Sequence, residues 1–195
     1  MKRFICIILS ICFLLTTTVV YAAIPSDIVT MRLGASYVKQ DKDNWCWAAS
    51  AENLVIWEMN PTRTQWDAVK YIKGWVLNWY PDTTGSIYDS AYAARYISNN
   101  TKNFSASETC KSYEFIREQI YNSNPVIVGA GRYSSGVRVG GHATLIIGWS
   151  KLNGKNYITY FDSALNDDLE CTYEAFCDGT FNGRRYDQTC YVVGD

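Results

Sequence analysis

Two hydrophobic periods divide the chain. From Cys46 to Glu58 the sequence CWAASAENLVIWE is rich in Ala and Leu, with apolar positions at Ala48, Ala51, Leu54 and Val55, and it stops at Asn60-Pro61. That spacing and that stop predict a helix. A second helix follows Thr64, carrying Trp66, Val69, Tyr71 and Ile72 and ending near Gly74. A third begins after Ser86 and runs through Ile87, Ala91, Ala94 and Tyr96 to about Ile97, and a short fourth covers 112–121. Past Pro125 the period shortens. Val126-Ile127-Val128 is an apolar run bounded by turn residues, another strand starts near Val137, and the runs 142–149 (HATLIIGW), 157–161 (YITYF) and 186–193 are β-branched or aromatic. Asn153-Gly154 lies between the runs 142–149 and 157–161 and suits the positive φ angles of a tight hairpin turn. The hairpin carries His142 on one strand and Asp162 at the far end of its partner, so the two come close in space. Helices first and antiparallel strands second predict an α+β fold, a helical N-terminal half packed against a C-terminal antiparallel sheet with a cleft between them.

Lys2 and Arg3, an apolar stretch over 4–20 and the small residues Ala22 and Ala23 read as a secretory signal peptide cleaved after Ala22. Residues 23–195 then form one domain, with no stop-transfer segment, repeat or linker to divide them, and no stable membrane anchor is expected. The chain is secreted or periplasmic on this reading, and a monomer. Of 18 basic and 19 acidic residues the signal peptide removes two and none, leaving a formal charge of −3. Nucleic acid is disfavoured as a partner, because the basic residues are scattered rather than clustered. Seven Trp, 15 Tyr and seven Phe predict a core and cleft walls rich in rings.

Two of the seven cysteines, Cys6 and Cys12, leave with the signal peptide, and five remain. In an oxidising compartment Cys110, Cys171, Cys177 and Cys190 can close two disulfides, which leaves one thiol free. The odd one is Cys46, standing alone between Trp45 and Trp47. Cys171 with Cys177 would close a short loop; longer links involving Cys110 and Cys190 are preferred. No CxxC pair exists and the single histidine lies in an apolar strand, so no metal site and no cofactor are expected.

A thiol at a helix start is favoured as an anion by unpaired backbone N–H groups and by the helix dipole. His142, the one histidine, is the side chain that could hold the proton and return it to a leaving group near neutral pH. Asp162 is the best candidate to orient the imidazole, with Asp167 and Asp168 in reserve. The Cys46 N–H can donate to an oxyanion, and Gln40, six positions earlier in the polar loop QDKDN, could supply a second donor.

QDKDNWCWAAS resembles the active-site entry of papain-like cysteine peptidases, in which a Gln and the catalytic Cys share this spacing and a Trp follows the Cys. GGHATLIIGW and NYITYFDS resemble the histidine strand of that clan and the strand ending in the residue that orients the imidazole. The resemblance extends to the compact secreted bacterial branch, with staphopain-like, effector-type and bacteriocin-leader peptidases. It implies a Cys46, His142 and Asp162 triad, Gln40 in the oxyanion hole, cleft walls at Trp45, Trp47 and Gly141, and hydrolysis of a protein or peptide through a thioester. Asp162 stands where papain has Asn, a feature shared with transglutaminase-like and some deamidase members. The same centre acting as a peptidoglycan amidase, glutamine deamidase or transglutaminase is the alternative. A non-enzymatic module, with Trp45, Trp47, Trp75, Trp79 and Trp149 lining a glycan or peptide groove, is a third reading.

Overall fold

The computed structural model describes residues 30–74 and 80–194. The signal-peptide reading, Cys6, Cys12, Trp75 and Trp79 lie outside them. A short strand, β1 (Thr30–Arg32), precedes three helices, α1 (Cys46–Glu58), α2 (Gln65–Lys73) and α3 (Ile87–Ile97). The starts of α2 and α3 are fixed by local chemistry. Asp67 accepts from the Thr64 backbone N–H at 2.9 Å, while Ser86 and Asp89 exchange bonds reciprocally, Ser86 N–H to Asp89 at 2.7 Å and Asp89 N–H to the Ser86 hydroxyl at 3.1 Å. β2 (Asn103–Ser107) follows, then α4 (Tyr113–Tyr121), whose N-cap Ser112 accepts from the Phe115 N–H. The remainder is β3 (Val126–Ser134), β4 (Val137–Leu152), β5 (Lys155–Asp162), β6 (Asp167–Thr172), α5 (Tyr173–Asp178) and β7 (Arg185–Val193).

The strands form one antiparallel sheet in the order β2-β7-β3-β4-β5-β6, with β1 paired to the far end of β4. Asn153 and Gly154, at φ of 50° and 76°, make the predicted turn between β4 and β5. The α+β expectation holds, with two changes in its layout. β1 and β2 come from the segment before α4 that is expected to be helical, and helices cover both faces of the sheet rather than one.

On the first face Ile127, Leu145, Ile147, Cys190 and Val192 pack against Trp47, Ala48, Ala51, Leu54 and Val55 of α1 and against Ala93, Ala94 and Ile97 of α3. The small residues of α1 let it lie close to both neighbours, and the run from Trp47 to Val55 is buried without a break, as expected of a central helix. On the opposite face Val126, Val128, Ile146, Ile158 and Tyr160 pack against Ile116 and Ile120 of α4 and Phe176 of α5. Alternation of side chains along each strand produces this division.

Candidate active site

The segment before α1 is held by polar side chains buried in the helices. Asn53, wholly buried, accepts from the Val38 N–H at 2.7 Å and donates to the Val38 carbonyl at 2.9 Å. Gln65 donates to the Lys39 carbonyl and accepts from the Asp41 N–H, at 2.9 and 3.0 Å, and its own N–H donates to Glu52 at 3.0 Å. Burial pushes the Glu52 carboxyl up from its ordinary value. A backbone that makes no ladder is thereby satisfied and fixed. On the other side of α1 the indoles of Trp45 and Trp47 donate to the Pro81 and Thr83 carbonyls at 3.0 and 3.1 Å, hanging that loop on the helix start. Gly85 closes it against the Trp47 ring, so tightly that a Cβ there would fall 2.4 Å from a ring carbon.

Cys46 is the first residue of α1, where the N–H groups have no intrahelical partner. The Ala143 N–H of β4 donates to its sulfur at 3.4 Å. Next to Ala143, His142 holds Asp162 Oδ1 through Nε2 at 2.7 Å, and the same oxygen accepts from the Ala164 N–H at 2.9 Å. The β4–β5 register, with Leu145 opposite Phe161, delivers Asp162 to the histidine. With Nε2 committed, Nδ1 is the nitrogen left for the sulfur. Burial would raise the Cys46 thiol, but the hydrogen bond and charge of His142, with the N–H groups of Ala143 and Trp47, outweigh it and hold the thiol below its ordinary value. Burial would lower His142, yet Asp162 and Cys46 raise it to about 9. Asp162 is likewise driven up by burial and brought down further by His142. All three shifts favour negative charge on sulfur and the proton on the ring.

Gln40 is tied to the residue after Asp162: its N–H donates to the Ser163 carbonyl at 3.0 Å and its Oε1 accepts from the Ser163 hydroxyl at 3.2 Å. Its Nε2 donates to the carbonyls of Lys42 and Asp43, both at 2.9 Å. An oxyanion could take one of these protons only by replacing a loop carbonyl. Trp47 and Gly141 line the cleft, whereas Trp45 stands behind it, fully buried against Trp66. Its ring completes the core instead of the wall. Trp149 is buried on the opposite face of the sheet, so with Trp45 it leaves the groove of rings without two of its members. Asp168 pairs with Arg32, and Asp167 accepts from the Asp168 N–H, both away from His142.

Among the described cysteines, Cys46, Cys110, Cys171, Cys177 and Cys190, no two sulfurs stand at bonding distance, and Cys171 and Cys190 cannot join, since they belong to cores on opposite faces of the sheet. Burial pushes both of those thiols up to about 12. Cys110 and Cys177 approach to 3.4 Å between sulfurs.

The cleft that opens over Cys46 and His142 has a volume of about 550 Å³. Besides the expected residues it is walled by Gly85 and Ser86 on the helical side and by Gly129, Arg138 and Gln188 on the sheet. Sequence reasoning missed these, as it missed the Ala143 N–H. A backbone donor or a glycine floor has no side-chain chemistry to announce it.

The Peptidase_C39-like family model matches residues 32–192, nearly all of the described chain. The chain belongs to this family. It is a cysteine peptidase with the papain-like fold, similar to a structure reported for the mite allergens Blo t 1 and Der p 1 (TM-score 0.56, 13% identity, covering 93% of this chain and 74% of that one). Digestive procathepsin L 3 from the larval midgut of Tenebrio molitor gives a TM-score of 0.56 at 12% identity, covering 90% of this chain and 72% of that one. Procathepsin B S9 from Trypanosoma congolense gives 0.53 at 10%, covering 81% and 72%. No curated protein matches significantly.

Proposed function

We propose that this peptidase is secreted and hydrolyses peptide bonds through Cys46, His142 and Asp162. The observation carrying this reading is the imidazole held at 2.7 Å by Asp162 while its charge and hydrogen bond lower the Cys46 thiol. The thiolate adds to the peptide carbonyl, and the resulting oxyanion is met by the Cys46 N–H, with Gln40 beside it. The carbonyl re-forms as the C–N bond breaks, His142 gives its proton to the departing amine, and a thioester remains. Water, deprotonated by His142, then attacks the thioester and releases the carboxylic acid and the sulfur. Asp162 keeps the ring in the orientation both steps need.

Cys46→Ala and His142→Ala should each abolish release of peptides from casein, and iodoacetamide at near-neutral pH should label Cys46 faster than a model thiol. Casein left intact beside purified cell walls that are cleaved would instead assign the centre to peptidoglycan. Labelling of Cys46 no faster than the model thiol, with Cys46→Ala leaving activity unchanged, would remove the enzyme reading.

Export to an oxidising compartment is supported by the Cys110–Cys177 pair as well as by the N-terminal sequence. Their sulfurs, at 3.4 Å, need only small side-chain rotations to reach bonding distance. Both thiols lose their protons and two electrons pass to an oxidant of the disulfide class, which is reduced to two thiols. One disulfide is expected in the mature protein, with Cys171 and Cys190 remaining thiols. Peptide mapping without reductant of the protein recovered from its native host checks it, and Cys110 and Cys177 both found free there would count against residence in an oxidising compartment.

A further inference from the structure

We infer, taking the peptidase reading as given, that Arg138 makes this cleft select a substrate residue bearing a carboxylate side chain. The sheet face under α1 extends past the helix start at Cys46. Beneath the helix it carries Ile127 and Leu145, which face each other in the register. Beyond it the same face carries the pairs Gly129 with Ala143 and Gly131 with Gly141. The uncovered floor is therefore nearly free of its own side chains.

Gln188 and Arg138 lie on it, and the Asp187 carboxylate shares the place over Gly131, where a Cβ would meet its Oδ2 at 2.3 Å. Gln188 of β7 covers Gly129, where a Cβ would meet its Oε1 at 2.6 Å. Arg138 covers Gly131 and Gly141, where a Cβ would meet its Nε at 2.7 Å and its Nη2 at 2.3 Å. The glycines are what allow a guanidinium to rest there. Its orientation is fixed, for Nε donates to Asp187 Oδ2 at 3.0 Å and Nη2 to Gln188 Oε1 at 3.3 Å, while the Tyr133 hydroxyl donates to the same Asp187 oxygen at 2.5 Å.

Those bonds occupy the Nε/Nη2 edge of the guanidinium. Its end, Nη1 with the outer Nη2 proton, keeps two parallel donors, a fork that matches the two oxygens of a carboxylate. Arg138 and Arg184 both line the cleft, whereas its lining carboxylates are Asp162, which is held by His142, and Asp43, which sits beside Gln40. An amide or hydrocarbon side chain placed over the floor would leave the fork half met. Asp187 pairs with the guanidinium at 3.0 Å and offsets part of its charge, so the preference rests on the geometry of the fork, with Arg184 as the second cation of the lining.

The test is a peptide library in which each position around the cut carries Asp, Glu, Asn, Gln, Ala or Lys, read as kcat/KM for wild type, Arg138→Gln and Arg138→Lys. Wild type should prefer Asp or Glu over the matching amide at one position by roughly ten- to a hundredfold. Arg138→Gln should erase that preference by lowering kcat/KM for the acidic peptides far more than for the amide and Ala peptides, and Arg138→Lys should restore part of it. Iodoacetamide labelling of Cys46 at the wild-type rate in both variants shows that the fold and the nucleophile are intact. Cleavage with no acidic preference, or a preference that survives Arg138→Gln, overturns the assignment of Arg138 and leaves the peptidase reading standing. A library that wild type leaves whole removes the peptidase reading, and this inference with it.

Discussion

At the scale of single residues, Asp162 supports the histidine with an oxygen that also caps the chain behind it, since Oδ1 accepts from both His142 and the Ala164 N–H. Hydrolysis needs His142 protonated when the amine leaves and Cys46 ionised when the carbonyl is attacked. Activity should accordingly fall on the alkaline side near pH 9, where the ring loses its proton, and on the acid side where the thiolate is reprotonated. In Asp162→Asn the carboxylate charge that raises His142 is gone, so the alkaline limb moves below 9. The Cys46 limb moves up, because an imidazole that is less often charged stabilises the thiolate less. A kcat/KM profile that keeps its width in the variant would contradict this. Cys46, His142 and Asp162 could be found in the sequence because each brings a distinctive chemistry: an odd thiol, a solitary imidazole and an acid closing a hairpin. Ser163, Gly131 and Arg138 could not, since their roles come from contacts made across the sheet.

At the scale of elements, the helical wall of the cleft depends on how the 80–85 loop hangs from α1. Trp47→Phe removes the donor to the Thr83 carbonyl while keeping most of the ring, and should cost about 1 kcal/mol in urea unfolding. Gly85→Ala drives a methyl into the Trp47 ring and should cost roughly 1–3 kcal/mol, with a larger loss of kcat/KM because the loop itself must shift. Equal kcat/KM for Gly85→Ala and wild type would show that the wall has slack. Most helix limits were readable because apolar spacing and capping residues agree, as at Thr64, Ser86 and Ser112. β1, β2 and β6 were not. Thr30–Arg32 is too short for any period, Asn103–Ser107 mixes polar and small residues, and Asp167–Thr172 opens with two acids, so each is a strand only because a neighbouring edge was available to pair with.

At the scale of the whole molecule, the sheet divides two cores that meet different fates on reduction. The Cys110–Cys177 link would span 67 positions of chain and tie the segment before α4 to α5, so reducing it should cost about 4 kcal/mol and lower Tm by roughly 10 °C. Cys110→Ser should reproduce the loss, and a second addition of reductant to that variant should do nothing. The two-sided covering of the sheet was not legible, because α4 and α5 are short and no local pattern says which face a helix will take. Gln40 and Ser163 carry a last consequence. Their paired bonds join the segment leading to the nucleophile directly to the strand end that supports the base. The two walls are thus riveted at that corner, so Ser163→Ala, which removes the hydroxyl bond to Gln40, should loosen the nucleophile's approach and the base's strand end together.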